Sequence, residues 1–253
     1  KKQSNNSNYW SDPNLNILIP MAGAGSRFKE AGYIFPKPLI EIDNKPMIQW
    51  VIESLKLEGN YIFIVQKEHQ EKYNINSVLK ILKPNCKIIE LDHITEGAAC
   101  TTLLAKKFIN TNHPLIIANS DQYIKWDSIK SMYNYNQKKI DGSILTFEAI
   151  HPKWSYAKTD KNNFVTEVAE KKVISKNATV GVYYWKKGSD YVNCAETMIK
   201  KNVRVNNEFY VCPVYNEAIG EGRKIVIDKV LEMHGLGTPD DLKNFITKKN
   251  LTK

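Results

Sequence analysis

Cysteine is scarce in this sequence, and long apolar runs are absent. The four cysteines, Cys86, Cys100, Cys194 and Cys212, share no short spacing with one another or with the five histidines. That spacing implies neither a zinc site nor a disulfide framework, and we expect reduced, partly buried thiols. Runs such as ILIPMA and PLIIA are too short to span a membrane, and the first residues lack a charged-then-apolar signal pattern. We therefore expect a cytoplasmic protein that does not engage a membrane.

A concentrated basic surface is also missing. The net charge is +9, but the lysines are scattered and no basic run alternates with aromatic residues on one helix. We therefore expect no nucleic-acid partner. A positive overall field raises the local concentration of a small polyanion, so the charge suits a nucleotide or a phosphorylated substrate.

The sequence does contain enough apolar residues for a sizeable core. Of its 253 residues, 42% are hydrophobic, which suits one large domain or two small ones. Residues 1–14 are polar and show no periodicity, so we predict that they form a flexible N-terminal extension. Residues 15–253 are predicted to form a single domain whose two halves meet near residue 140.

The apolar pattern of the first half alternates between the periods of strands and helices. Strands are predicted at LNILIP, YIFIVQ, CKIIEL and PLIIA, and helices at PMIQWVIESLKLE, GAACTTLLAKKF and WDSIKSMYNYNQ. From residue 142 onward, short strands separated by turn signals predict antiparallel pairing on the same sheet. The predicted fold class is α/β, a Rossmann-like, mostly parallel mixed sheet flanked by helices with an antiparallel extension in the second half.

A glycine-containing loop follows the first predicted strand, where sheets of this kind bind ligands. It reads GAGSRF from residue 23 and matches neither a dinucleotide fingerprint nor a Walker-type phosphate loop. On Gly23 and Gly25 alone, an ordinary turn is as good an interpretation as a loop whose amides bind anions. Arg27, and Lys37 held between two prolines, favour the anion-binding interpretation because both offer cations suited to phosphate.

Several separated motifs then occur in one order along the chain. They are AGAGSRF, PKPLI, EGAACTTLLA, ANSDQY, EVAEKK, NEFYVCPVYNEAI and HGLGTPDDL. In this order they resemble the signature of the sugar-phosphate nucleotidylyltransferases, and the resemblance runs from about Leu15 to Phe245. It implies the nucleotide-diphospho-sugar transferase fold, with a nucleotide-binding half at about 15–140 and an acceptor-binding half at about 141–253.

The resemblance also implies a role for individual residues. Arg27 would contact the β- and γ-phosphates, Lys37 the α-phosphate, and Asp121 would hold Mg²⁺, for which Mn²⁺ could substitute. The nucleotide would be bound by Ala22, Gly23, Ala24, Gly25, Glu96, Gly97 and Ser120. The phosphorylated small-molecule acceptor would be bound by Glu170, Lys171 and Glu208.

The resemblance is closest to the small capsule and lipopolysaccharide branch of the family. That branch implies a cytidylyltransferase using CTP, with phosphoglutamine or a sugar phosphate as the acceptor, in capsule or surface polysaccharide biosynthesis. One position departs from the family pattern, because Gly235 stands where a second metal-binding aspartate is common. Glu232, Glu208 and Asp228 are the other candidates for that ligand.

The chemistry can be argued without the resemblance. A phosphate monoester is largely dianionic at neutral pH, since its second pKa is about 6, so it needs no general base to act as a nucleophile. Catalysis then consists of positioning two polyanions and neutralising their charge.

Two alternatives remain. A glycosyltransferase on a similar scaffold would be expected to carry Asp-x-Asp, whereas Gln122 and Tyr123 follow Asp121. A non-catalytic regulatory module would be expected to lose the lysine and the aspartate, and both are present. The sequence does not predict the oligomeric state.

Overall fold

A computed structural model describes residues 8–251 of the chain. The strands are, in chain order, β1 Trp10–Pro20, β2 Glu41–Ile42, β3 Lys45–Pro46, β4 Leu57–Gln66, β5 Lys87–Leu91, β6 Leu115–Ala118, β7 Gln122–Lys125, β8 Gly142–Glu148, β9 Tyr156–Thr159, β10 Val165–Ala169, β11 Asn177–Trp185, β12 Ile225–Lys229 and β13 Glu232–Gly235.

The α-helices are α1 Ser26–Glu30, α2 Met47–Leu55, α3 Lys67–Tyr73, α4 Ile75–Leu82, α5 Ala98–Leu103, α6 Lys106–Ile109, α7 Ser128–Gln137, α8 Gly188–Lys200, α9 Val214–Gly220 and α10 Pro239–Leu251. A short 3-10 helix covers Lys37–Leu39. Within the described residues, no helix is both long enough and apolar enough to cross a membrane.

Nine strands form one mixed sheet. β5, β4, β1 and β6 lie side by side and are parallel, and β11 then pairs with β6 in the antiparallel direction. β8 is antiparallel to β11 and parallel to β12, while the hairpin of β9 and β10 joins the beginning of β11. The predicted fold class, with a parallel first half and an antiparallel extension, is confirmed.

The sheet separates two apolar cores because alternate residues of each strand face opposite sides. In β1, Leu18 belongs to one core, and Ile17 and Ile19 belong to the other. α5, α8 and α9 contribute to the first core, whereas α2 and α7 contribute to the second. The four cysteines are free, and Cys86, Cys194 and Cys212 are buried, as the sequence predicts.

A third, smaller core holds together the segments around the opening loop. Its members are Phe28, Ile40, Ile42, Met47, Leu236, Leu242 and Phe245. They come from α1, from the β2–β3 hairpin and its flanks, and from α10 with the segment before it. The small core therefore fixes the first loop of the chain against the last helix.

Two predicted boundaries are wrong. The first strand begins at Trp10 rather than Leu15, so residues 10–14 are not part of a loose extension, while residues 1–7 of the predicted extension lie outside the described residues. Trp10 pairs with Leu57 of β4, and the register then shifts before Asn16. This bulge accommodates Asp12 and Pro13. Because both residue types are uncommon in strands, the sequence pattern does not reveal a strand here.

The predicted helix from Pro46 to Glu58 is also too long. It ends at Leu55 because Lys56 adopts the left-handed conformation with φ 51°, and Leu57 already belongs to β4. The predicted helix over residues 97–108 is divided into α5 and α6.

We predict that Trp10→Ala lowers the free energy of unfolding by about 1 to 3 kcal/mol, because Trp10 packs against the second core. Urea unfolding monitored by circular dichroism measures the change. Ser11→Ala is the matched control, since Ser11 is exposed in the same strand and should change the free energy by less than about 0.5 kcal/mol. Equal stability of the two variants would show that the Trp10 end of β1 contributes nothing to the fold.

Candidate active site

The loop after β1 is held by its own backbone and by one side chain of β4. The amide of Met21 donates to the carbonyl of Ile64, which continues the pairing of β1 one residue beyond the strand. The side-chain amide of Gln66 donates to the carbonyls of Ala22, at 3.0 Å, and Gly23, at 2.8 Å. These two bonds attach the backbone of residues 22 and 23 to the end of β4 and so hold the loop in place.

Gly25 forms the junction between this loop and α1. Its φ is 61°, a left-handed conformation that favours glycine, and a Cβ there would lie 3.6 Å from the Cβ of Lys37. Buried Phe28 packs edge-on against Tyr33 and anchors the short helix. Arg27, exposed on α1, lines the cavity described below.

Lys37 and Asp121 form an ion pair at the centre of the site. The Lys37 Nζ donates to Asp121 Oδ2 at 2.8 Å, and the two side chains are 22% and 28% exposed. Lys37 begins the 3-10 helix, in which the amide of Leu39 donates to the carbonyl of Pro36. The ammonium therefore projects from a rigid turn toward the end of β6.

Asp121 follows β6 and is fixed by its backbone. Its carbonyl accepts a hydrogen bond from the Leu236 amide at 2.7 Å, and the preceding Asn119 amide donates to the Gly181 carbonyl at 2.8 Å. Gly181 has φ 81°, and a Cβ there would lie 2.3 Å from the Asn119 side chain. Only glycine permits this approach, which brings β11 against the loop that carries Asp121.

Two cavities meet at the ion pair. The larger has a volume of about 560 Å³ and the smaller about 330 Å³. Both are lined by Ala24, Lys37, Asn119, Asp121 and Glu208. A molecule in one cavity and a molecule in the other would therefore approach each other beside Lys37 and Asp121.

The start of α5 forms one wall of the smaller cavity. Gly97, with φ 128°, packs so closely on Phe209 that a Cβ would lie 2.5 Å from its backbone. The Phe209 amide donates to the Glu96 carbonyl, and the Phe209 carbonyl accepts from the Ala99 amide. Ala22, Gly23 and Ser120 complete the wall on the opposite side.

The larger cavity reaches the beginnings of β9 and β11. Its lining includes Glu170, whose carboxylate accepts a hydrogen bond from the Ser155 hydroxyl. Burial raises the pKa of Glu170, and nearby Glu208 acts in the same direction, whereas the Ser155 bond and Lys171 lower it.

A chain of hydrogen bonds connects Lys171 to the segment that carries Glu208 and Tyr210. The Lys171 ammonium donates to the Tyr210 hydroxyl at 2.6 Å, and that hydroxyl donates to Glu208 at 2.7 Å. Burial and the contact with Glu208 raise the pKa of Tyr210, so the phenol remains protonated. Lys171 is thus linked to Glu208 through Tyr210 and is not among the residues that line either cavity.

Some other predicted residues also lie outside the two cavities. The Glu96 side chain is 67% exposed and pairs with Arg204. Asp228 accepts from the Tyr135 hydroxyl at 2.5 Å, away from both cavities, so it is not the second ligand beside Asp121. Glu232 also fails as that ligand, because it pairs with His234 at 2.5 Å and lines a separate cavity beyond the β7–β13 ladder. Glu208 alone of the three suggested ligands lines the site.

The sequence does not indicate several residues that line or shape the site. Gln66 fixes the opening loop, and Asn119 lines both cavities. Lys153, Trp154 and Asp241 line the larger cavity. The signals in the sequence are the polar residue that ends β4, the polar residue immediately after β6 and the acidic pair in the first turn of α10.

Comparisons with known proteins agree with this geometry. The family model described as nucleotidyl transferase matches residues 17–238. The bifunctional protein GlmU of Thermotoga sp. (strain RQ2) is 24% identical over 229 residues, which are 88% of this chain and 49% of that protein. A mannose-1-phosphate guanyltransferase of Schizosaccharomyces pombe is 24% identical over 151 residues, covering 54% of this chain and 39% of that protein. The chain thus spans about half the length, or less, of these curated relatives.

Solved structures are similar over most of the chain. The nucleoside-diphosphate-sugar pyrophosphorylase from Vibrio cholerae RC9 is 25% identical with a TM-score of 0.76, covering 91% of this chain and 99% of that one. The inositol-1-phosphate CTP transferase from T. maritima shares the fold at 14% identity, with a TM-score of 0.72 and coverage of 92% and 95%. Since the family model matches residues 17–238, from within β1 to the residue before α10, the chain belongs to the nucleotidyl transferase family.

Proposed function

We propose that this protein is a nucleotidylyltransferase that transfers CMP from CTP to a phosphorylated small molecule and releases pyrophosphate. The observation that carries the proposal is the Lys37–Asp121 pair at the junction of two cavities. The nucleoside lies in the smaller cavity and the acceptor in the larger one. Their phosphates then meet beside the half-buried Lys37–Asp121 pair.

The reaction is a displacement at the α-phosphorus. An oxygen of the acceptor phosphate forms the new bond, and the bond to the β-phosphate oxygen breaks, so pyrophosphate leaves with the electron pair. No general base is needed because the attacking phosphate is already anionic. Lys37 neutralises charge at the α-phosphate, Arg27 contacts the β- and γ-phosphates, and the loop from Ala22 to Gly25 approaches them through its backbone.

A divalent metal, Mg²⁺ or Mn²⁺, fits the residues beside Asp121. The Lys37 ammonium on Asp121 Oδ2 shows that this carboxylate accepts a cation at the cavity surface. Within residues 8–251 no group of three or more histidine, cysteine or acidic side chains could hold a metal alone. Triphosphate oxygens would therefore supply further ligands, as is usual for Mg²⁺, and the metal would neutralise phosphate charge.

The lining of the larger cavity supports an acceptor that carries an ammonium and a carboxylate besides its phosphate, such as phosphoglutamine, over the phosphate of an uncharged sugar. Lys153, whose ammonium lies 4.7 Å from the Trp154 ring centroid, could pair with a carboxylate. Glu170 has a raised pKa because of burial, so a ligand ammonium beside it would stabilise its charged form. Sugar hydroxyl groups would offer neither Lys153 nor Glu170 a group of opposite charge.

CTP is proposed because the motifs resemble those of the capsule and lipopolysaccharide branch of the family, and the smaller cavity, of about 330 Å³, would receive the nucleoside. The proposal includes a cytoplasmic location and a role in capsule or surface polysaccharide biosynthesis. A glycosyltransferase is less well supported, because Tyr123, at the position of the second aspartate in an Asp-x-Asp motif, packs against Trp50 and Phe245.

The test is a pyrophosphate-release screen of CTP, UTP, ATP and GTP, each with sugar phosphates, phosphocholine and phosphoglutamine in the presence of Mg²⁺. We expect release with CTP and phosphoglutamine, and almost none from Asp121→Asn, which retains the shape but not the charge of the carboxylate. Release with a different triphosphate or acceptor would show that CTP or phosphoglutamine is the wrong substrate. No release with any pair would favour the regulatory module.

We predict that the two lysines affect different kinetic constants. Lys37→Ala should lower kcat about 10- to 100-fold, because charge grows at the α-phosphate during displacement. Lys171→Ala should instead raise the acceptor KM by a similar factor of about 10 to 100, because it removes the charge-assisted hydrogen bond that, through the Tyr210 hydroxyl, holds Glu208 in the lining of the larger cavity. Steady-state kinetics with each substrate varied separately measure both effects.

Lys172→Ala is the control for this pair, since Lys172 is exposed beside Lys171 and should leave both constants within about twofold. If Lys171→Ala changed the CTP constants and not the acceptor KM, residues 170–171 would not bind the acceptor.

A further inference from the structure

We propose that Asp241 supplies the second carboxylate for the divalent metal. This inference rests on the proposed function, and it concerns a residue of α10 rather than of β13. Asp241 lines the larger cavity together with Asp121, and its side chain is 22% exposed. Neighbouring Asp240, in the same helical turn, is exposed and does not line the cavity.

The backbone before α10 leaves space for two carboxylates. A Cβ at Gly237 would lie 3.0 Å from Asp121 Oδ2, and a Cβ at Gly235 would lie 3.7 Å from Asp241 Oδ2. Between the two glycines, Leu236 is buried in the small core. The two glycines, at the end of β13 and two residues beyond it, thus leave open the space beside each carboxylate.

The same geometry explains why position 235 does not carry the ligand itself. A Cβ at Gly235 would also lie 3.1 Å from Cη2 of Trp154, which is closer than most real Cβ contacts. Any side chain there would compete with the Trp154 ring and the Asp241 carboxylate. Asp241 reaches this space from the helix, so the chain can keep both a carboxylate and an aromatic ring.

Lysine ammonium groups hold both carboxylates. Lys37 donates to Asp121 Oδ2, and Lys153 donates to Asp241 Oδ1 at 3.1 Å. Two carboxylates facing one cavity require compensating positive charge, which a single divalent cation supplies as well as two ammonium groups. With both carboxylates on a metal, Lys37 and Lys153 become available for phosphate and for an anionic group of the acceptor.

Two carboxylates completed by phosphate oxygens and water form a donor set that Mg²⁺ and Mn²⁺ accept. Asp121 and Asp241 would be the two residues of the chain that hold the ion, which would supply positive charge to the substrate phosphates. Asp241 is therefore a residue that holds the metal. When the metal is absent, the same carboxylate pairs with Lys153.

The test is Mn²⁺ binding measured by electron paramagnetic resonance on the full chain with CTP present and no acceptor. We expect Asp241→Asn to weaken Mn²⁺ binding about 10- to 100-fold, the loss of one charge-assisted contact. Asp240→Asn should stay within about twofold, because it removes the same first-turn charge from the helix but no cavity carboxylate. Calorimetry in EDTA should show equal CTP binding by both variants, and thermal unfolding should show that both are folded.

Equal Mn²⁺ affinities for Asp241→Asn and Asp240→Asn would overturn the assignment. The titration requires no turnover, so it is independent of the activity screen. A chain that releases pyrophosphate normally but binds Mn²⁺ without Asp241 would refute this inference alone. A chain that binds Mn²⁺ through Asp241 but never releases pyrophosphate would refute the proposed reaction alone.

Discussion

The ion pair between Lys37 and Asp121 joins the two segments of the chain that together form the site. Lys37 belongs to the segment after the opening loop, and Asp121 follows the neighbouring parallel strand. Parallel strands end at the same edge of a sheet. The pairing of β1 with β6 is therefore enough to place the loops that follow them next to each other. The pair then sets the boundary between the two cavities.

The antiparallel half of the sheet adds the second wall of the site. β11 runs against β6, so the middle of β11, at Gly181, packs on Asn119 beside Asp121. Glu170 and its neighbours approach from the end of β10, and α10 closes the remaining side through the small core around Phe28. One change of strand direction thus converts an open edge of the parallel sheet into a cleft with two cavities.

The sequence predicts the parts of this arrangement that depend on local patterns. Continuous apolar runs mark β4, β6 and β11, and the glycines and cations of the opening loop lie where the sheet predicts a ligand. The Trp10 end of β1 was missed because Asp12, Pro13 and Asn14 disfavour strands, although a bulge accommodates them. Lys153 and Asp241 were missed because their meeting depends on tertiary packing between residues 88 positions apart. No short-range pattern reports such a contact.

The charge of the whole chain is a poor guide to the charge of this site. The chain carries +9, yet the larger cavity is lined by three cationic side chains, Arg27, Lys37 and Lys153, against four carboxylates, Asp121, Glu170, Glu208 and Asp241. With all of them ionised, the lining has one net negative charge, which opposes a triphosphate at short range. Two features can reverse that balance: a divalent cation on the aspartates, and the raised pKa of Glu170, which favours its neutral form or an ammonium partner. The positive exterior can attract a polyanion, but binding inside the cleft then requires that positive charge be brought in with the substrates.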